Sequence, residues 1–183
     1  FAFFFRYLHK ITGTTTMKIL ITGACGMVGS HMIDMYYAQG ERDIVGTFYK
    51  PTTDMHDIHG KASLIECDVR YYQRLHDIIS DLQPDKIFHL AAQSYPTVSW
   101  HRPQETMDTN VNGTINVFEA IKSVRKTNKN YDPVVIVACS SAEYGASLTP
   151  ENTPVKETAA LLPLHPYGVS KVGQDLLSFQ YYQ

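Results

Sequence analysis

The chain has 183 residues, of which 44% are hydrophobic and 19% charged, and its formal net charge is -2. This length suffices for one domain with a substantial core. The near-neutral charge gives no reason to expect nucleic acid or an anionic membrane as a partner. No apolar stretch approaches the ~20 residues that span a bilayer. We therefore expect a globular protein of the cytoplasm.

The amino-terminal segment stands apart from the rest of the chain. Phe1–Phe5 is apolar, but Arg6 and Lys10 follow it, which reverses the order found in a secretory signal peptide. We interpret Met17 as the natural start. Residues 1–16 are accordingly expected to be a non-native or disordered extension, outside the fold.

From Met17 onward, short apolar runs alternate with segments of helical period. The predicted strands are Lys18–Thr22, Asp43–Thr47, Ala62–Glu66, Lys86–Ala91 and Pro133–Cys139, and the predicted helices are Met27–Gln39, Tyr71–Leu82, Pro103–Arg125 and Tyr167–Gln183. The nearly continuous apolar run Pro133–Cys139 suits a strand buried on both faces. This alternation predicts an α/β fold with a doubly wound parallel sheet, a Rossmann fold. Because the chain stops inside a helical pattern, we expect the fold to be truncated at its carboxyl end.

A glycine-rich segment connects the first strand to the first helix. Thr22–Gly29 reads T-G-A-C-G-M-V-G, so its glycines have the spacing G-x-x-G-x-x-G. Glycine lets the backbone approach a pyrophosphate, and the helix N-terminus offers that anion free N–H groups. An ordinary strand–helix turn is the alternative. The predicted cofactor contacts here are Gly23, Cys25, Gly26, Met27, Val28 and Gly29.

The end of the second strand bears on the choice of cofactor. An acid there binds the ribose hydroxyls of NAD, whereas a basic residue suits the 2′-phosphate of NADP. This chain has Thr47 at that position and Lys50 just beyond it. The pattern favours NADP(H), with NAD(H) as the alternative and a solvated loop lysine as the other interpretation of Lys50.

Tyr167 and Lys171 form a Y-x-x-x-K pair at the start of the last helix. The i,i+4 spacing puts both side chains on one helix face, where a cation favours the phenolate of a tyrosine that must act as an acid or base. A surface pair is the alternative. Ser140 follows the fifth strand and could hydrogen-bond a substrate oxygen at the ligand crevice, or satisfy local backbone. The cysteines Cys25, Cys67 and Cys139 lack metal-ligand spacing, so we expect reduced, buried thiols and no metal.

Several segments together carry a family resemblance. They are TGACGMVG at 22–29, CDV at 67–69, HLAAQS at 89–94, NVNGT at 110–114, SSAEYG at 140–145 and PYGVSK at 166–171. Residues 17–183 resemble the NAD(P)-binding domain of the extended short-chain dehydrogenases/reductases, the NAD-dependent epimerase/dehydratase family. The resemblance implies a smaller carboxyl-terminal substrate domain, which is absent from this chain, and a homodimer or tetramer.

The resemblance also implies roles for particular residues. Ser140, Tyr167 and Lys171 would be the catalytic triad, and Asn110 would hold the active-site water and the lysine. Further cofactor contacts would be Asp68 and Val69 at the adenine, Leu90, Ala91 and Ala92 along the pyrophosphate and nicotinamide ribose, and Tyr167 and Lys171.

Within the family, the segments look most like the branch that acts on GDP-mannose and its 4-keto-6-deoxy product. Ser94, Ser99, Ser141 and Glu143 would then lie near the sugar, unless they are ordinary loop residues. The dehydratases of this branch carry a glutamate two residues after the triad serine or threonine, where this chain has Ala142. Glu143 is the neighbour, and on a strand it would point to the opposite face.

The resemblance therefore favours reduction of GDP-4-keto-6-deoxy-D-mannose at C4. A GDP-mannose 4,6-dehydratase, a nucleotide-sugar 4-epimerase and a non-catalytic dinucleotide-binding protein remain the alternatives. The expected substrate is a nucleotide-sugar, with a GDP-hexose favoured. The base, the sugar and the stereochemical outcome stay open at this point.

Overall fold

The computed structural model describes residues 17–183, so the predicted extension at 1–16 lies outside the described residues. Within the described range, five parallel strands form one sheet in the order β3-β2-β1-β4-β5. The strands are β1 (Ile19–Thr22), β2 (Ile44–Phe48), β3 (Ser63–Glu66), β4 (Lys86–His89) and β5 (Val134–Val137). The doubly wound parallel sheet is confirmed, and every predicted strand is present.

Six α-helices accompany the strands over residues 17–183. They are α1 (Met27–Ala38), α2 (Tyr72–Leu82), α3 (Pro96–His101), α4 (Pro103–Met107), α5 (Gly113–Thr127) and α6 (Pro166–Tyr182). A π-helical turn, Asp108–Asn112, joins α4 to α5. Short 3-10 turns occupy Met55–Ile58, Ser141–Glu143 and Pro150–Asn152.

The side chains of β1 alternate between the two faces of the sheet. Ile19 and Ile21 are fully buried in a cluster with Ile33 of α1. Leu20 points the other way, into a cluster with Leu75 of α2 and residues of α5. This alternation follows from the two-residue period of a strand, and burial of each such side chain contributes about 1.5–3 kcal/mol. Helices therefore cover both faces of the sheet.

The strand order reverses at β1, whose neighbours are β2 on one side and β4 on the other. The register pairs Thr22 with Thr47 of β2 and with His89 of β4. The carboxyl ends of the three strands consequently lie at one edge, and α1 begins just beyond it. In open α/β sheets, ligands bind in the crevice at this reversal.

The regular helix predicted over Pro103–Arg125 is interrupted in the structure. The π-helical turn separates α4 from α5 at Asn110, whose carbonyl accepts a 2.7 Å hydrogen bond from the hydroxyl of Thr114. Such π-helical turns are frequent at functional sites. The helix α3 was not predicted, although Pro96 occupies its first turn, a favoured position for proline.

The expectation that the fifth strand is buried on both faces is wrong. In the described chain, β5 lies at the edge of the sheet, with β4 as its neighbour. Val134 and Ile136 are 41% and 39% exposed. An apolar run indicates a strand that can be buried, but only the tertiary structure decides which of its faces other elements cover.

Candidate active site

The glycine-rich segment forms a tight turn between β1 and α1. Gly23 has a φ of +70°, and a Cβ added there would lie 2.8 Å from the backbone nitrogen of Ala91. The first turn of α1 has neither a side-chain cap at Gly26 nor an acidic residue. Its N–H groups and the positive end of the helix dipole are therefore suited to an anion.

A cavity of about 560 Å³ opens in front of this turn. Its wall includes most of the predicted cofactor contacts and one predicted substrate contact: Gly23, Cys25, Gly26, Met27, Val28, Gly29, Lys50, Asp68, Val69, Leu90, Ala91, Ala92 and Ser94. Sequence reasoning missed further wall residues, among them Phe48, Tyr49, Arg70, Gln93 and Glu105. Tyr49 directly precedes the predicted Lys50 and Arg70 directly follows the predicted Val69, and this adjacency is the signal that could have identified them.

Thr47 is not in the cavity wall, contrary to its predicted role. Its side chain is fully buried, and its hydroxyl has no hydrogen-bond partner within the described chain. Its carbonyl accepts a 2.9 Å bond from the Ala24 amide. Since β2 continues to Phe48, the side chains that reach the cavity come from the residues after Thr47.

Two cations flank the ring of Tyr49, and we call Lys50 and Arg70 the cationic rim. The Lys50 ammonium lies 5.0 Å, and the Arg70 guanidinium 5.7 Å, from the ring centre. Arg70 Nε donates to both carboxylate oxygens of Asp68, at 3.0 and 2.9 Å. Burial favours the neutral acid, but hydrogen bonds from Arg70 outweigh it and hold the Asp68 pKa below its usual value. The Asp68 carboxylate is thus already engaged.

The Y-x-x-x-K pair lies on α6, which packs tightly against the turn after β5. A Cβ added at Gly168 would lie 2.8 Å from the carbonyl oxygen of Ala142, so glycine permits this approach. Lys171 is 3% exposed, and its ammonium donates to the Ala138 carbonyl at 2.7 Å. The ammonium lies 5.7 Å from the Tyr167 ring centre. Burial lowers the pKa of Lys171, although nearby Cys139 and Glu143 act in the opposite direction.

Ser140 and Glu143 cap the 3-10 turn that follows β5. The Ser140 hydroxyl accepts from the Ala142 amide at 3.2 Å, and the Glu143 carboxylate accepts from the Ser140 amide at 2.9 Å. Glu143 is buried, and burial raises its pKa. The strand geometry assumed for Glu143 is therefore wrong: a capping box, rather than strand alternation, directs its side chain.

Asn110 connects the cavity wall to α6. Its side-chain oxygen accepts from the Gln93 amide at 2.8 Å, and its nitrogen donates to the Gln93 carbonyl at 3.1 Å and to Ser170 Oγ at 2.8 Å. These bonds engage the side chain with Gln93 and Ser170, whereas the Lys171 ammonium bonds Ala138. A role of Asn110 in holding the lysine directly is therefore not what the geometry shows.

The structure separates the predicted site residues into those that line the cavity, given above, and those that do not. Ser140, Tyr167 and Lys171 belong to the region where α6 packs against the segment after β5, and none of them lines the cavity. Ser141 is exposed. Ser99 is fully buried and donates to the Pro96 carbonyl at 2.6 Å inside α3, so its predicted substrate contact is wrong.

The remaining predictions concern cysteines, metals and membranes. Cys25 and Cys67 are buried free thiols, but Cys139 is exposed, contrary to expectation. Over residues 17–183, no group of three or more His, Cys, Asp or Glu side chains could hold a metal ion. No helix in the same range has the length and apolar character needed to cross a membrane.

These residues fit a dinucleotide. The uncapped helix N-terminus suits a pyrophosphate, and the Gln93 side-chain oxygen is a buried acceptor with no partner in the described chain, which suits a ligand hydroxyl. The parallel sheet, the glycine turn at the strand reversal and the Tyr–Lys pair define a dinucleotide-binding α/β domain of the short-chain dehydrogenase/reductase class.

Comparison with known proteins specifies the family. The model of the GDP-mannose 4,6 dehydratase family matches residues 20–183. A UDP-glucose 4-epimerase from Lacticaseibacillus casei is 30% identical over 161 residues, 87% of this chain and 45% of the relative. A GDP-mannose 4,6-dehydratase from Vibrio cholerae is 30% identical over 168 residues, 85% of this chain and 43% of the relative.

Solved structures share the fold. UDP-glucose 4-epimerase from Brucella ovis, solved in complex with NAD, superposes with a TM-score of 0.78 at 25% identity, covering 90% of this chain and 47% of that one. The chain belongs to the extended short-chain dehydrogenase/reductase family of NAD-dependent epimerases and dehydratases. It spans about half the length of the curated relatives it matches.

Proposed function

We propose that this chain is the NAD(P)-binding domain, residues 17–183, of an enzyme that changes the oxidation state of a sugar carbon in a nucleotide-sugar. The observation that supports the proposal best is the bridge made by Asn110. It bonds the backbone of Gln93, in the cavity wall, and Ser170, the neighbour of Lys171. A dinucleotide in the cavity would thereby be held in register with the Tyr–Lys pair.

The residues of the pair would handle the proton. Tyr167 would donate it to the sugar oxygen, and the Lys171 ammonium, 5.7 Å from the Tyr167 ring centre, would favour the resulting phenolate. Ser140 would donate its hydroxyl proton to the same oxygen while still accepting from the Ala142 amide, since a hydroxyl is both a donor and an acceptor. Membership of the family supports these roles of Tyr167, Lys171 and Ser140.

When bound, the nicotinamide dinucleotide supplies or accepts the two electrons at the sugar carbon. The glycine turn and the N-terminus of α1 would hold its pyrophosphate. We favour NADP(H), because Lys50 of the cationic rim lies in the cavity wall, where a cation suits a 2′-phosphate, and because no acid stands at the end of β2. NAD(H) is the second candidate, supported by the NAD complex of the Brucella relative.

Among the possible reactions, the turn after β5 favours reduction of GDP-4-keto-6-deoxy-D-mannose. The dehydratases that the chain resembles use a glutamate two residues after the triad residue for elimination of water, whereas Ala142 at that position has only a methyl group. Glu143 cannot replace it without leaving the capping box, since its carboxylate bonds the Ser140 amide. A 4-epimerase is the second candidate function, because relatives at 30% identity are named UDP-glucose 4-epimerase.

The three reactions are separated by substrate assays on the intact protein. We expect oxidation of NADPH in the presence of GDP-4-keto-6-deoxy-D-mannose, and no loss of water from GDP-mannose by mass spectrometry. We also expect no conversion of UDP-glucose to its 4-epimer. Loss of water would assign a dehydratase that uses Glu143, and epimer formation would assign an epimerase. Inactivity towards all three substrates, with dinucleotide bound, would assign a binding protein.

A further inference from the structure

A buried histidine lies between the cavity and the helix that carries Lys171. His89 ends β4 and is 1% exposed. Its Nδ1 lies 2.8 Å from the hydroxyl of Thr22 at the end of β1, and its Nε2 lies 3.1 Å from the hydroxyl of Thr114 in α5. The imidazole thus bridges two threonines that are far apart in sequence.

The neighbours of the two threonines decide which ring nitrogen carries the proton. Thr22 Oγ1 accepts from the Ala91 amide at 3.2 Å, so its single proton is free to be donated to His89 Nδ1. Thr114 donates its proton to the Asn110 carbonyl at 2.7 Å, so it must accept from His89 Nε2. A hydroxyl has one proton and two lone pairs.

The second lone pair of Thr114 is also used. Gln174 of α6 donates its side-chain N–H to Thr114 Oγ1 at 2.7 Å. The opposite tautomer of His89 would leave the Thr22 proton without an acceptor and would compete for the Thr114 proton. The pattern that satisfies both hydroxyls and both ring nitrogens therefore has the proton on Nε2 and none on Nδ1.

The imidazole is also held neutral. Burial, reinforced by the positive charge of Lys171, lowers the pKa of His89 to about 3. A proton on Nδ1 would remove the acceptor that Thr22 needs, in addition to placing a second cation near Lys171. The direction of the hydrogen bonds and the electrostatics therefore both require a neutral imidazole with its proton on Nε2.

We propose that His89 is a positioning residue, whose neutral Nε2-protonated ring fixes the Ala91 amide of the cavity wall relative to the π-helical turn and α6. Those two elements carry Asn110 and Lys171. We call the hydrogen-bonded series Thr22–His89–Thr114 the relay. The proposal rests on the proposed function only for its effect on the cofactor: loss of the relay should loosen dinucleotide binding without removing any residue that lines the cavity.

The tautomer is measured directly by long-range ¹H–¹⁵N NMR of the intact protein at neutral pH. We expect His89 to be a single neutral form with the proton on Nε2. A proton on Nδ1, or a positively charged ring, would overturn the proposal. This measurement needs neither a variant nor turnover, so it tests the relay even if the proposed function fails.

A matched set of variants tests the coupling. Thr114→Val keeps the shape but removes the relay hydroxyl, Thr114→Ser restores a hydroxyl, and Thr106→Val removes a buried hydroxyl that bonds only within its own region, at Arg102. We expect Thr114→Val to speed hydrogen exchange of the Ala91 amide and to weaken dinucleotide binding by roughly two- to tenfold, the value of one neutral hydrogen bond. Thr114→Ser should reverse both effects.

The control separates coupling from general destabilisation. Thr106→Val should leave the Ala91 amide and dinucleotide affinity as in the parent chain, and the Leu20 amide of β1 should exchange equally in all variants. Equal exchange at Ala91 in Thr114→Val and Thr106→Val would refute the relay. If the intact protein binds no dinucleotide, the proposed function is refuted, whereas the exchange rates still judge the relay.

Discussion

The two halves of the candidate site are built in different ways. The glycine turn between β1 and α1 lies at the centre of the sheet, where β1 has a strand on each side, and its geometry comes from backbone and glycine. The Tyr167–Lys171 pair lies beside β5 at the sheet edge, and side-chain bonds from Asn110 and Gln174 tie α6 to the rest of the fold.

This difference predicts where each half is vulnerable. In the glycine turn, any side chain that enters the closely packed backbone should be costly, whereas loss of a single polar group should matter little. At the Tyr–Lys edge, the reverse holds, because removal of one hydroxyl or amide breaks a bond between distant elements. The variants below test this contrast, in decreasing order of the expected effect.

The largest effect is expected at the Tyr–Lys edge. In the intact protein, Tyr167→Phe should lower turnover by roughly 10²–10⁴, the usual contribution of a positioned general acid or base. Steady-state rates with NADPH and a 4-keto sugar nucleotide measure this loss. Dinucleotide affinity should barely change. Tyr181→Phe is the control, since it removes a hydroxyl at the far end of α6 that donates to the Glu119 carboxylate. Near-normal turnover in Tyr167→Phe would exclude Tyr167 as the proton donor.

The glycine turn is tested by a single added methyl group. Gly23→Ala should destabilise the fold by the cost of a positive φ, about 1–2 kcal/mol, and by a further 1–3 kcal/mol, roughly, from the clash with Ala91. Gly40→Ala is a matched control, since Gly40 has a φ of +95° but nothing within 4 Å of an added Cβ. Urea unfolding measures both. Equal losses would show that contact with Ala91 is unimportant.

The cationic rim is expected to show a smaller, selective effect. Lys50→Ala should weaken the binding of NADPH by roughly two- to tenfold, the range for a hydrogen bond to a charged group that is partly solvated. NADH affinity should stay unchanged, because NADH lacks the 2′-phosphate. Lys61→Ala, which removes a surface pair with Asp34, is the control. Calorimetric titration of both cofactors measures the difference, and a preference of the parent for NADH would contradict the NADP(H) assignment.

The smallest change in stability is expected at the sheet edge. An exposed apolar edge strand invites pairing with another chain, so the 183-residue chain should self-associate unless further native sequence completes the sheet. By itself, it should bind dinucleotide weakly at best and turn over no sugar nucleotide. Ile136→Lys on β5 should reduce self-association while shifting stability by no more than about 0.5 kcal/mol. Leu148→Lys, at an exposed loop position, should leave self-association unchanged. Size-exclusion chromatography decides, and a monomeric parent with reductase activity would contradict the prediction.

Sequence patterns predicted the central half of the site well. The strand–glycine–helix order of Thr22–Gly29 is local, so its residues and its position at the strand reversal could be recognised without tertiary structure. Thr47 shows the limit of this approach. Adjacent side chains of a strand point to opposite faces, so placing the end of β2 one residue too early selected a buried side chain.

For the Tyr–Lys edge, the sequence predicted which residues belong to the site but not which residues they bond. Tyr167 and Lys171 are one helical turn apart, so their proximity follows from the sequence. The partners of that pair do not, because the bonds from Asn110 to Gln93 and Ser170 span 17 and 60 residues. The capping box of Glu143 was missed for a related reason: a 3-10 turn replaced the assumed strand.

The sequence by itself therefore determined the fold class, the glycine turn and the proximity of Tyr167 to Lys171, since each depends on periodicity or spacing within a few residues. Only the tertiary structure decided that β5 is an edge strand, that the Asp68 carboxylate is engaged by Arg70 and that His89 bridges Thr22 and Thr114. The order of strands and the direction of buried hydrogen bonds depend on which distant segments meet, and no local pattern encodes that.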